Sequence, residues 1–143
     1  MKRNQTLLLF LAALSVVSGY LLSRASLVGR AGMSLFYREY NFLKTWWKGG
    51  LVVFLSLLLL FAIQGFIQRR QSPQKRRIIH VVALLLALVG LYFTYNDFRH
   101  TLSHRLLGER FHLGAYLFWI GWIVICWFYL LQPRTTEMFP NTD

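Results

Sequence analysis

Hydrophobic residues fall into four long blocks along this chain, and the polar and charged residues lie between the blocks. The blocks run from Leu7 to Leu22, from about Leu51 to Ile67, from about Ile78 to Tyr95 and from about Phe111 to Leu131. Each supplies roughly 17–25 largely apolar residues, enough for a helix rising about 1.5 Å per residue to cross about 30 Å of hydrocarbon. The pattern predicts an all-α integral membrane protein, with residues 1–143 forming one domain built as a four-helix transmembrane bundle.

The connector between the first two blocks mixes basic and aromatic residues. Its aromatic side chains include Phe36, Tyr37, Tyr40, Phe42, Trp46 and Trp47. Because Tyr and Trp favour the headgroup boundary, we expect a short interfacial segment over residues 24–50, which Gly49 and Gly50 turn into the second span. Two interpretations remain: a docking surface for lipid or a partner subunit, or simple anchoring of the helix ends.

Composition and charge agree with a membrane location. The chain is 56% hydrophobic and carries 16 Lys+Arg against 5 Asp+Glu, a net charge of +11. The basic residues lie at the ends of the apolar blocks, so their excess indicates the two membrane surfaces and no nucleic-acid partner. The span interiors contain no Asp, Glu, Lys or Arg, which disfavours a pump or a transporter of charged substrates. Little sequence remains for a soluble catalytic domain, which favours a non-enzymatic role.

Orientation depends on one connector. With the N-terminus inside, eight Lys and Arg residues lie on each side, but five of the ten residues from Arg69 to Ile78 are basic. This density predicts both termini in the cytoplasm, in a bacterial inner (plasma) membrane. In an alternative interpretation, the first block is a cleaved signal peptide, with cleavage near Val17-Ser18-Gly19 or Ser23-Arg24-Ala25. The apolar run continues through Tyr20 to Leu22, which favours a retained helix.

The candidate chemistry lies in residues 97–112, which hold three of the four histidines. Asp97, His100 and His104 stand at i, i+3 and i+7, one face of a helix, and suit a Zn²⁺ or Fe²⁺ site. The segment from His104 to Gly108, followed by His112, resembles the His-Arg-x-x-Gly entry of membrane b-type cytochromes. That resemblance implies a haem held by His104 and His112, with His100 as the alternative partner of His112. A third interpretation is a charged interfacial turn with paired acids and arginines, and a fourth is contact with a partner or a quinone headgroup.

Small and polar residues in the blocks indicate where helices pack. Ala83, Ala87 and Gly90 share one face of the third block, and Gly114 and Gly121 share one face of the fourth. Polar positions are few: Ser15, Ser18 and a lone amide, Gln64. Cys126 is the single cysteine, so no intrachain disulfide or Cys-based metal site is expected.

These observations favour a small accessory or assembly subunit of a larger membrane complex. Its expected partners are the lipid bilayer and other membrane subunits or further copies of the chain. The alternative is a haem- or metal-binding redox membrane protein that uses the histidines of residues 100–112. Small-molecule transport by an oligomer is a third possibility. The sequence does not identify a cofactor.

Overall fold

The computed structural model describes residues 3–24, 45–100 and 109–132, and these ranges are helical apart from short turns. The helices are α1 (Arg3–Ser23), α2 (Trp46–Arg70), α3 (Pro73–His100) and α4 (Glu109–Leu130). All four are long and apolar enough to span a membrane. Within the described residues, the predicted all-helical fold with four helices of spanning length is therefore confirmed.

Two helices extend well beyond the apolar blocks that predicted them. α3 begins five residues before Ile78 and ends five after Tyr95. The added residues include Gln, Lys and Arg, which are good helix formers, so the helix continues past the hydrocarbon-length segment. α2 likewise begins at Trp46. The predicted turn at Gly49-Gly50 was wrong, because both glycines are helical and buried. Most of the predicted interfacial segment lies outside the described residues.

Glycine allows α1 and α2 to cross at backbone contact. A Cβ atom built on Gly19 would collide with the Gly50 backbone nitrogen and the Trp46 carbonyl oxygen. A Cβ on Gly50 would lie 3.1 Å from the Ser15 carbonyl oxygen. Close packing drives helix association in lipid, so this crossing explains why glycines interrupt a helix of otherwise large apolar residues.

α4 is the central helix, in contact with each of the other three. On α1 the Ser18 hydroxyl donates a 2.7 Å hydrogen bond to the Gly114 carbonyl oxygen, and a Cβ on Gly121 would meet Leu57 Cδ1 of α2 at 2.7 Å. The predicted packing role of both α4 glycines is confirmed. α1 packs against both α2 and α4, burying a stripe at helical spacing: Leu7, Leu11, Leu14, Ser15, Ser18, Gly19 and Leu22.

α3 is attached to the rest of the bundle mainly through α4. Its buried residues are His80, Ala87 and Phe98, which share one face. The Trp119 indole ring packs directly against Gly90, and its nearest edge leaves no room for a Cβ atom at that position. Although only Gln71 and Ser72 separate α2 from α3, the backbones of the two helices come close at few positions. Pro73 suits the first helical position after this turn, where no N–H is needed.

Candidate functional site

A buried polar cluster joins α2, α3 and α4 near the α2–α3 turn. At its centre is His80, whose side chain is 1% exposed. Its Nδ1 atom lies 3.1 Å from Gln64 Oε1, and its Nε2 atom lies 3.1 Å from Gln68 Oε1. Gln64 is itself only 3% exposed. Buried polar groups are costly without partners, and these side chains provide partners for one another.

The cluster continues from both glutamines to α4. The Gln64 amide nitrogen lies 3.2 Å from Cys126 Sγ, and the Gln68 amide nitrogen donates a 3.1 Å hydrogen bond to Gln132 Oε1. One hydrogen-bonded chain therefore runs from Cys126 through Gln64, His80 and Gln68 to Gln132.

The chain of partners constrains the protons of the His80 ring. As placed, both ring nitrogens face amide oxygens, which only a doubly protonated ring could satisfy. Amide oxygen and nitrogen are assigned from the hydrogen-bond network, and turning the Gln64 amide satisfies a neutral ring as well. The Cys126 thiol then donates to Gln64 Oε1, Gln64 Nε2 donates to His80 Nδ1, and His80 Nε2–H donates to Gln68. We assign this arrangement, because an isolated buried charge is far costlier.

An aromatic ring of α4 completes the surroundings of His80. Tyr129 stacks on the imidazole with ring centroids 5.3 Å apart and an interplanar angle of 11°. The Tyr129 hydroxyl donates a 3.1 Å hydrogen bond to the Phe61 carbonyl oxygen of α2. Gly65 leaves space for that hydroxyl, since a Cβ built there would lie 2.7 Å from it. The imidazole is thus held by hydrogen bonds at its edge and by a stacked ring on its face.

Above the cluster, a pocket of about 740 Å³ opens at the end of the bundle. Its lining combines amides, two arginines and a few apolar side chains: Gln68, Pro73, Gln74, Arg76, Arg77, Ile78, His80, Tyr129, Leu130 and Gln132. We call this the basic end, because six of the ten described Lys and Arg residues lie here: Arg3, Arg69, Arg70, Lys75, Arg76 and Arg77. The two acidic residues of the described ranges, Asp97 and Glu109, lie at the opposite end.

Sequence reasoning placed Gln64 and His80 on separate spans but did not bring them together. A usable signal was present: each residue is eight positions from Ser72, in the α2–α3 turn. In a helical hairpin with a short turn, residues equidistant from the turn lie at the same depth. Two polar residues so related in otherwise apolar helices predict a hydrogen bond across the hairpin.

The predicted metal site lies at the opposite end of α3. Asp97 and His100 are exposed and line one pocket of about 510 Å³, together with Phe93, Thr94 and Asn96. His104 lies outside the described residues, so the set of three stays a prediction. Within the described ranges, no three His, Cys, Asp or Glu side chains are grouped to hold a metal ion.

Of the two predicted haem ligands, His112 lies within the described ranges. His112 is half-buried near the start of α4, and its ring stacks on Phe98 with centroids 4.2 Å apart and an interplanar angle of 13°. Its proposed partner His104 is outside the described residues, so this pair also stays a prediction. His80 is no substitute, because Phe98 stands 18 residues along α3 from it, which at helical rise is about 27 Å.

Comparison with known proteins adds no relative. No known protein family, characterised protein or solved structure matches this chain. Two arrangements in the described ranges bear on function: the polar cluster with its pocket at the basic end, and the exposed surface of α3.

Proposed function

We propose that this chain is an integral membrane protein that serves as a non-enzymatic accessory or assembly subunit of a larger membrane complex. Four helices of spanning length support the membrane location. Six described basic residues at one end, against Arg24, Lys48, Arg99 and Arg110 at the other, support a cytoplasmic basic end. In that orientation both chain termini lie in the cytoplasm. The membrane that we propose is the inner membrane of a bacterial cell.

The observation that carries the proposal is the weak enclosure of α3. Only 11% of the apolar part of α3 is buried, compared with 39% of the apolar part of α1. Its outward face presents Val82, Leu85, Val89 and Phe93, each 48–64% exposed and spaced to form one stripe.

A helix held on one face offers the rest of its surface to a neighbour in the membrane. Lipid tails are as apolar as these side chains, so association there comes from packing between helices and from polar contacts. α3 supports both kinds of contact: branched side chains along the stripe, and the exposed polar residues Asn96 and His100 at its end. We therefore infer that a helix of another membrane subunit lies along the outward face of α3.

Site-specific photo-cross-linking in cells tests this. A benzophenone side chain replaces Val89 on α3, which is 49% exposed, or Val16 on α1, which is 53% exposed and serves as the matched control. The proposal expects one discrete protein adduct from position 89 and none from position 16. The cross-linked peptide should lie within an apolar span of the partner.

The outcomes separate the possible occupants. If two differently tagged copies of the chain are co-expressed and the adduct contains both tags at twice the mass of the chain, the face belongs to a homo-oligomer. Equal adduct patterns at both positions, or lipid adducts alone at position 89, contradict the proposal. Co-purification of the same partner in mild detergent should be stoichiometric.

The pocket at the opposite end of α3 favours one second candidate, a metal- or haem-binding redox role. It brings Asp97 and His100 to a common opening, and carboxylate with imidazole suits Zn²⁺ or Fe²⁺. Metal analysis and optical spectra of the purified protein test it. Stoichiometric metal that is lost in D97N/H100A, or a Soret band with added hemin that requires His104 and His112, would replace the accessory-subunit proposal.

A further inference from the structure

The pocket at the basic end has the composition of an anion site. Arg76 and Arg77 lie on its wall, and neutral hydrogen-bonding side chains surround them: Gln68, Gln74 and Gln132. Arginine presents several N–H donors in a fixed planar group that matches phosphate oxygens. The pocket also opens at the N-terminus of α3, the positive end of a 28-residue helix.

The described charges near the pocket have one sign. The lining contains no acidic side chain, and the described acids lie at the other end of the bundle. Arg76 and Arg77 therefore have no carboxylate partner in the described part of this end, and an anion entering the pocket meets no described like charge.

The same pocket is bounded by apolar side chains on its membrane side. Ile78, Tyr129 and Leu130 belong to its lining, and Ile78 is 56% exposed. From Ile78 the apolar surface continues along α3 through Val82 and Leu85, which are also exposed. A molecule with an anionic head and apolar chains would place its head in the pocket and its chains along α3.

We propose that this pocket binds the phosphate headgroup of an anionic membrane lipid, held by Arg76 and Arg77. Basic pockets between membrane helices are suited to anionic headgroups. This inference goes beyond the proposed function. The lipid chains and the proposed partner helix share the apolar surface at Val82 and Leu85, but the two proposals are tested separately: the headgroup pocket by variants at Arg76, Arg77 and Gln74, and the partner helix by cross-linking at Val89.

Native mass spectrometry of the full-length protein in neutral detergent tests the inference with phosphatidylglycerol as the probe. The wild-type chain should retain one phosphatidylglycerol and show weaker retention of phosphatidylcholine. R76Q/R77Q removes both pocket arginines. R69Q/R70Q is the matched control, because it removes the same charge at the same end of the bundle, from two arginines of α2 that do not line the pocket.

General attraction of anionic lipid to surface charge falls equally in both pairs. R76Q/R77Q also loses charge-assisted hydrogen bonds to the phosphate. Its affinity for phosphatidylglycerol should therefore fall roughly ten-fold further than that of R69Q/R70Q. Q74W provides a second variant that keeps the charge. Gln74 is exposed and lines the opening, so a tryptophan there should block the lipid without disturbing the bundle.

Each outcome decides the question. Selective loss in R76Q/R77Q and in Q74W supports a lipid headgroup in the pocket. Equal loss in the two arginine pairs, with Q74W unchanged, assigns the binding to general surface charge and overturns the proposal. Equal retention of phosphatidylcholine overturns it too. Displacement of the lipid by inorganic phosphate at matching concentration would assign the pocket to a soluble phosphate.

Discussion

Replacing His80 with phenylalanine should destabilise the bundle through its hydrogen bonds alone. The phenyl ring keeps the stacking on Tyr129 but removes both 3.1 Å contacts, to Gln64 and to Gln68. Interhelical hydrogen bonds in membrane proteins contribute on average about 0.6 kcal/mol and at most about 1.7. A buried group left unpaired costs about 1–3 kcal/mol. With two amides affected, we expect the free energy of unfolding to fall by about 2 kcal/mol.

A double-mutant cycle separates the hydrogen bond from the change of side chain. H80F, Q64L and the combined H80F/Q64L are compared by reversible unfolding of the purified protein in bicelles. Because both single changes break the same bond, the double variant should lose less than the sum of the singles, by about 0.6–1.7 kcal/mol.

The control cycle pairs H80F with S18A. Ser18 bonds Gly114 near the other end of the bundle, so these two effects should add within about 0.5 kcal/mol. An additive H80F/Q64L cycle would refute the idea that the cluster is a coupled hydrogen-bonded unit. Equal coupling in both cycles would indicate a global change of structure and would refute it as well.

Three further predictions follow from close contacts and charge. G19A should lower the free energy of unfolding by about 1–3 kcal/mol, measured in the same bicelles, because the added methyl meets the Gly50 backbone; A13V on the exposed face of α1 should change it little. G65A should also lower the free energy of unfolding. The double variant G65A/Y129F should recover part of that loss, because removing the Tyr129 hydroxyl clears the 2.7 Å overlap with the added methyl; no recovery would contradict this contact. A reporter fused after Asp143 should be active only in the cytoplasm, and activity outside would reverse the proposed orientation.

Helix number and approximate helix positions were predictable from the sequence because hydrocarbon thickness sets a minimum apolar length. The residues at which the helices begin and end were less predictable. α3 includes Gln74–Arg77 because those residues form helix readily although they are polar, and Pro73 suits its first position. Gly49 and Gly50 were predicted to turn, because glycine interrupts helices in water. Contact with Gly19 reverses that expectation, since close backbone approach outweighs the conformational cost of glycine.

The site at the basic end was only partly predictable. Local sequence shows that His80 and Gln64 are polar residues in apolar surroundings, but it does not show which helices lie together. Tyr129 and Cys126 come from α4, and packing at Gly90 and Gly121, outside the cluster, helps set the position of α4 beside α3 and α2. The histidines of residues 97–112 are close together in sequence, which predicted a site there, whereas the buried histidine, His80, is isolated in sequence.

The way α3 is attached explains how its outer surface remains available. Its contacts with the bundle are distributed along one face: His80 at the basic end, Gly90 and Thr94 against Trp119 in the middle, and Phe98 against His112 at the far end. The middle contact includes a 3.0 Å hydrogen bond from the Trp119 indole to the Thr94 hydroxyl. Polar and aromatic contacts of defined geometry fix the rotation and depth of a helix better than apolar packing alone, because they are satisfied in one register. α3 is thereby held from one side, and a partner helix or a lipid chain can cover its outward stripe without displacing any of these contacts.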